Sequence, residues 1–224
     1  MVDEYLDERE QAEQLKQWFK ENWLWLVAGV GLGLGGLYGW QGWNAYLDRR
    51  AQESGALFAT MLDAFDRNDR AAGTELADRI TAEYGATAYA DQALLVVARV
   101  HAEAGELDEA AAKLRQVMES SKDAEMALVA RLRLARVQNA QGQHDAALAT
   151  LRAVGAPAVD ARIDELEGDV LAAKGDVAAA REAYERALAA AAEPGATGLV
   201  DADYVRLKLD ALAADAASPA AAGS

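Results

Sequence analysis

Apolar side chains follow two patterns along this chain. From Asn22 to Leu47 they dominate a run of 26 residues with no charged side chain, whose core reads WLWLVAGVGLGLGGLYGWQGW from Trp23 to Trp43. From Ser54 onward they return every three or four positions with charged residues between them, the spacing that gathers them on one face of a helix. Period-2 runs of β-branched or aromatic residues, the mark of strands, are scarce. The pattern predicts an all-α protein with an N-terminal transmembrane helix followed by a stack of shorter amphipathic helices.

The uncharged run has the length of a membrane span. A helix rises about 1.5 Å per residue, so roughly 20 residues cross a hydrocarbon layer of ~30 Å. Trp23 and Trp25 at one end, and Trp40, Trp43 and Tyr46 at the other, suit the two headgroup levels. A cleaved signal sequence fits poorly. The 21 residues ahead of the run carry seven acids against Arg9, Lys16 and Lys20, and the exit GWQGWNAYL lacks a small-x-small cleavage site. The reading is an acidic arm over 1–21 and an uncleaved transmembrane helix over 22–47. Three basic residues before the span and Arg49 and Arg50 after it do not set its orientation. Within the arm, Leu15, Trp18 and Phe19 share one side of a helix that suits a membrane surface or a partner.

Glycines mark the span. Gly31-x-Gly33-x-x-Gly36 matches the dinucleotide-binding string but lacks the preceding strand and downstream acid that give the string its mechanism. Gly29-xxx-Gly33 and Gly35-xxx-Gly39 fit lipid better, because missing side chains let a second helix approach closely. Gly29, Gly33, Gly35 and Gly39 are the candidate packing face; a flexible helix without a partner is the plainer alternative.

Three segments of the remaining chain align without gaps: ARVHAEAGELDEAAAKL from Ala98, ARVQNAQGQHDAALATL from Ala135 and GDVLAAKGDVAAAREAY from Gly168. A small residue opens each (Ala98, Ala135, Gly168). Glycine follows at offset seven (Gly105, Gly142, Gly175), alanine at twelve (Ala110, Ala147, Ala180) and a bulky residue at sixteen (Leu114, Leu151, Tyr184). The glycines stand 37 and 33 residues apart. Glycine ends a helix in a left-handed turn, small residues allow close helix approach, and the bulky residue fills the seam to the next pair. The spacing resembles the tetratricopeptide repeat, an α-solenoid of stacked helix pairs. Ser54–Tyr84 predicts a further pair turning near Asn68-Asp69. Pro194-Gly195 breaks the chain, and Leu199–Leu212 reads as a capping helix with Val205, Leu209 and Leu212 on one face. The repeat domain spans 48–213, with about four helix pairs, and an Ala-rich disordered tail follows over 214–224.

Composition narrows the chemistry. With 22 Lys+Arg against 37 Asp+Glu the formal charge is −15, which argues against a nucleic-acid partner. No cysteine is present, which excludes disulfides, thiolate metal sites and cysteine nucleophiles. His101 lacks a motif partner, and His144 holds the repeat position of Leu107 and Val177, so it reads as a packed side chain. Acids at helical surface spacing, Asp164-Glu165-Glu167 and Glu182-Glu185, read as solvated faces. No phosphate loop, nucleophile elbow or zinc signature occurs, so no catalytic, cofactor-binding or metal site is assigned and the chain is read as a non-enzyme. The candidate groove residues are Arg99, Arg133 and Arg136 on the first helices of the pairs, suited to a peptide carboxylate or acidic segment. Stem packing with solvated heads is the alternative.

An acidic arm, one glycine-rich span and about four degenerate repeats come in that order. With QAEQLKQWFKEN at Gln11–Asn22, GWQGWNAYLDRRAQES at Gly39–Ser54 and LRLARVQNAQGQHDAALATL at Leu132–Leu151, the chain resembles the YfgM family of bacterial inner-membrane proteins. The resemblance implies a cytoplasmic N-terminus and a periplasmic repeat domain. It also implies association with the SecYEG translocon and the periplasmic chaperone PpiD, and a role in passing unfolded secretory proteins to periplasmic chaperones. The rival readings are a scaffold for another envelope complex and a regulator acting through the cytoplasmic arm.

Overall fold

The computed structural model describes residues 2–152, 160–193 and 200–217. Helices account for most of them, joined by short connections, with no strand among the described residues. The chain divides into two units, Met1–Glu53 and Ser54–Ser224, each taken here by itself.

The first unit is helical throughout its described length and belongs to α1 (Val2–Asp66). The charge boundaries near residues 21 and 47 do not interrupt the helix, because backbone hydrogen bonding is indifferent to whether a side chain faces lipid or water. Apart from the half-buried Leu26, the large apolar residues from Leu24 to Leu47 are exposed, and one helix among the described residues is long and apolar enough to cross a membrane.

The second unit begins with the last turns of α1. It continues through α2 (Arg70–Tyr84), α3 (Ala88–Glu103), α4 (Leu107–Ser120), α5 (Ala124–Ala140), α6 (His144–Arg152), α7 (Asp160–Lys174), α8 (Val177–Ala191) and α9 (Ala202–Ala217). Helices α3 and α4, α5 and α6, and α7 and α8 are the three aligned copies, each folded back at its glycine. Gly105, Gly142 and Gly175 have φ of 78°, 74° and 87°. Each turn closes with the same two bonds. The glycine N–H donates three residues back (Gly105 to Ala102, 3.0 Å), and the next N–H donates five back (Glu106 to His101, 2.9 Å). This double closure satisfies carbonyls that the helix end leaves open. Asn68, the residue type that best tolerates a left-handed conformation after glycine, takes φ 59° between α1 and α2. Asp69, Asp123 and Asp176 then cap α2, α5 and α8 by accepting from backbone N–H groups.

The recurring positions form the seams. Ala110, Ala147 and Ala180 are fully buried, and Leu114, Leu151 and Tyr184 nearly so. Each apolar cluster bridges consecutive pairs: Met61, Ile80 and Val97 join α1, α2 and α3; Leu95, Leu114 and Leu134 join α3, α4 and α5; Leu151, Leu166 and Val205 join α6, α7 and α9. No pair covers its own apolar face, so the stack is the stable unit. Val205 and Leu212 of α9 close the last cluster with Leu209 packed against them, as a capping helix should. Helix α9 continues to Ala217, past the start of the expected tail; 218–224 and the break at Pro194-Gly195 lie outside the described residues.

Polar ties run along the turn edge of the stack. Arg70 at the start of α2 holds Glu106 at 2.6 Å, Asp108 of α4 accepts from Gln141 at 2.7 Å, and Asp145 of α6 accepts from Lys174 at 2.6 Å. Asp108 and Asp145 share one repeat position, and Gln141 and Lys174 another. The hydrogen bond from Arg70, seconded by His101 Nδ1 at 2.6 Å, holds the Glu106 carboxyl at about 2, against an ordinary 4.5. A depressed carboxyl contributes stability above its unfolded pKa and loses it as pH falls through the folded one. In acid titration of unfolding, the stability difference between the natural chain and Glu106→Gln is therefore expected to hold down to about pH 4.5 and close by about pH 2. A gap that persists unchanged at pH 2 contradicts this assignment.

Candidate functional site

Two surfaces are candidates, one in each unit. In the first unit, a Cβ built at Gly29, Gly33, Gly35 or Gly39 meets no atom within 4 Å, so this stripe is open to another helix as far as its own chain is concerned. Leu15, Trp18 and Phe19 are exposed beside it in sequence.

In the second unit the first helices of the pairs lie in a row, α3 against α5 and α5 against α7. The three predicted groove arginines stand on this row but differ in surroundings. Arg99 on α3 is exposed and reaches Glu103 one turn on at 3.8 Å, a pair of small energetic weight in water. Arg133 on α5 is exposed. Arg136 is exposed as well but borders a small cavity of about 120 Å³ at the α5–α7 seam, lined also by Ala135, Asn139, Leu166, Asp169 and Val170. Burial against this seam, and then the Arg162 guanidinium across it, pull Arg136 below the ordinary arginine value; Glu165 and Asp169 offset part of that.

Next to the cavity lies a polar cluster that corrects the expectation for Asp164-Glu165-Glu167. These acids are not a solvated face. Glu165 is 3% exposed, accepts from Lys208 of α9 at 2.8 Å and pairs with Arg162. Lys208 also reaches Asp169 at 2.6 Å, and Asp169 accepts from the Tyr184 hydroxyl at 2.8 Å. The Lys208 ammonium lies over the Tyr204 ring, 4.7 Å from its centre. Burial alone lowers Lys208, but the bonds to Asp169 and Glu165 outweigh it and hold the ammonium above its usual value. Burial first, and then the bond to Asp169, raise the Tyr184 phenol. On the other flank of α7, Glu167 joins Arg152 of α6 (3.1 Å) to Arg186 of α8 (2.7 Å), and Asp164 holds Arg186 at 2.9 Å. The acids are covered because α7 is packed by α5, α6 and α8, with Lys208 of α9 reaching it as well. Glu182 and Glu185 are exposed as predicted.

Both histidines make polar contacts within the stack. His144 opens α6 half-buried, its Nδ1 2.7 Å from Asn139 Oδ1, and His101 makes the Glu106 contact given above. Among the described residues no group of three or more His, Asp or Glu is placed to hold a metal ion.

The tetratricopeptide repeat-like domain family matches residues 16–214. Two curated relatives, both named ancillary SecYEG translocon subunit, align over most of the chain. The one from Haemophilus influenzae is 32% identical over 182 residues, covering 81% of this chain and 89% of its own length. The one from Escherichia coli K12 is 33% identical over 181 residues, covering 81% and 87%. The chain belongs to the YfgM family of ancillary SecYEG translocon subunits, with a tetratricopeptide repeat-like domain. Among solved structures, MamA (41-end) from Desulfovibrio magneticus RS-1 shares the fold, with a TM-score of 0.54, 17% identity, and coverage of 73% of this chain and 85% of that one. In a YfgM-family chain, an exposed apolar helix joined to a repeat stack fits a membrane protein that works by binding other proteins.

Proposed function

We propose that this chain is a membrane-anchored docking module at the SecYEG translocon, which holds emerging secretory polypeptides and passes them to periplasmic chaperones such as PpiD. Helix residues 22–47 span the inner membrane, the arm 1–21 lies in the cytoplasm, and the repeat domain 48–213 works in the periplasm. The observation that carries this reading is the pairing of an uncovered apolar helix with a repeat stack in a chain aligned to translocon subunits along 81% of its length. Tethering explains the architecture. Confining the row of first helices near the exit site raises its effective concentration for a client, to the millimolar range for a short linker, so individual contacts can stay weak and release quickly. The open glycine stripe supports helix-to-helix contact with the translocon in lipid, where close backbone approach replaces the hydrophobic drive.

Photocrosslinking in cells tests the proposal. A crosslinker at Gly35 is expected to capture a translocon subunit, and one at Arg99 or Arg133 a secretory polypeptide or periplasmic chaperone. Protease added to spheroplasts should digest the repeats and spare the arm. Crosslinks that avoid translocon, clients and chaperones alike, or protection of the repeats from protease, sink this reading.

A further inference from the structure

We infer that Arg136 is a receptor for a carboxylate carried by a docked polypeptide, seated in the cavity between α5 and α7. The inference rests on the docking role proposed above and names the chemistry that the groove selects. Arg136 is exposed at the rim of this cavity and makes no hydrogen bond or ion pair among the described residues. The nearby carboxylates are already engaged, Glu165 with Lys208 and Arg162, and Asp169 with Lys208 and the Tyr184 hydroxyl. Four cations (Arg133, Arg136, Arg162, Lys208) thus stand near two carboxylates (Glu165, Asp169), so positive charge is in local excess within a chain of net −15. A guanidinium without a partner at the rim of a cavity presents its planar fork to an incoming carboxylate, the group it matches best.

The cavity supplies the rest of the site. Ala135, Leu166 and Val170 line it with apolar surface, and its volume of about 120 Å³ admits a small group rather than a large side chain. Asn139 Oδ1 faces His144 Nδ1 at 2.7 Å, so the Asn139 amide nitrogen is left to donate a second hydrogen bond beside Arg136. Asp169 also borders the cavity, but Lys208 at 2.6 Å neutralises its repulsion of an anion. Arg99 is a weaker receptor because Glu103 already accompanies it, and Arg133 does not line the cavity.

The test uses the full chain in detergent micelles at low salt and three fluorescein-labelled heptapeptides of the same Ala/Leu background. One carries a central glutamate and an amidated end, one a central glutamine and an amidated end, and one the glutamine with a free C-terminal carboxylate. A charge-assisted hydrogen bond from an exposed arginine at a cavity rim sets an expected preference of about five-fold for a carboxylate peptide over the neutral one, read by anisotropy. The glutamate and free-end arms tell a side-chain carboxylate from a terminal one. Arg136→Ala should erase the preference, and Arg136→Lys should keep part of it, while Arg181→Ala, an exposed arginine of α8 that does not line the cavity, leaves it unchanged. Equal binding of all three peptides overturns the carboxylate assignment and leaves peptide docking standing. A preference that survives Arg136→Ala, or no binding by any peptide at millimolar concentration, also overturns it; crosslinking at Arg99 and Arg133 then decides the docking role separately.

Discussion

Gly168→Ala is expected to destabilise the repeat domain by about 2 kcal/mol, although alanine favours a helix. A methyl at Gly168 would stand 2.5 Å from Cδ1 and Cε1 of Tyr184. That ring is 3% exposed and its hydroxyl is tied to Asp169 at 2.8 Å, so it cannot swing aside without breaking a partly buried hydrogen bond. Overpacking of this kind costs up to about 3 kcal/mol, and the helix preference of alanine over glycine returns about 1. Gly73→Ala is the control. Its methyl would also meet a ring, that of Phe65 at 2.6 Å, but Phe65 is only partly buried at the edge of its cluster and has no hydroxyl to hold it, so a smaller loss, below about 1 kcal/mol, is expected.

The other two copies already contain the remedy. They pair alanine with leucine at the same two positions, Ala98 with Leu114 and Ala135 with Leu151, where this copy pairs Gly168 with Tyr184. Tyr184→Leu should therefore rescue Gly168→Ala, the double variant losing about 1–2 kcal/mol less than the sum of the singles. Circular dichroism is the suitable probe. All five tryptophans (Trp18, Trp23, Trp25, Trp40 and Trp43) precede the repeats, so their emission does not follow repeat unfolding. Strict additivity of the two changes, or a Gly168→Ala chain as stable as its parent, contradicts the packing argument.

Those paired substitutions also show what was legible in the sequence. The glycine, alanine and bulky offsets are set by geometry within one helix pair: a left-handed φ at the turn, a fully buried alanine, a filled seam. Each leaves its mark within 17 consecutive residues, so three copies could be aligned by eye and the helix pairs placed. The seam between copies is harder to read. Glu165 looks like a surface acid because its own helix gives no sign of burial; its partner Lys208 lies 43 residues on, across the Pro194-Gly195 break. The contrast among Arg99, Arg133 and Arg136 is hidden for the same reason. All three share a helix row and a charge, and only the approach of α7, with Arg162 and Asp169, distinguishes the one at the cavity.

Removing the charge of Lys208 is the second change expected to have a large effect. Lys208→Met leaves the nearly buried Glu165 with Arg162 alone and Asp169 with only the Tyr184 hydroxyl. Breaking one side of a buried ion pair costs about 3–5 kcal/mol; since Arg162 stays and Lys208 keeps some contact with water, about 2–3 kcal/mol is expected here. The loss should be local first, with faster amide exchange in α9 and at the α7 face beneath it, because Lys208 is the polar tie between these helices. Glu165→Gln in the same chain should recover part of it, since a neutral amide tolerates burial that a lone carboxylate does not. The raised Lys208 value adds a pH signature. A raised lysine contributes stability in full below its unfolded value of 10.5 and loses it as pH climbs through the folded one. The gap between the natural chain and Lys208→Met should thus be flat through neutral pH and narrow only in strong alkali. If Lys208→Met leaves α9 exchange unchanged, or Glu165→Gln deepens its loss, the cluster does not hold the capping helix in place. Its loss has a functional reach as well: Asp169, released from Lys208, becomes available to Arg136 across the cavity, and the carboxylate preference of the groove should fall with it.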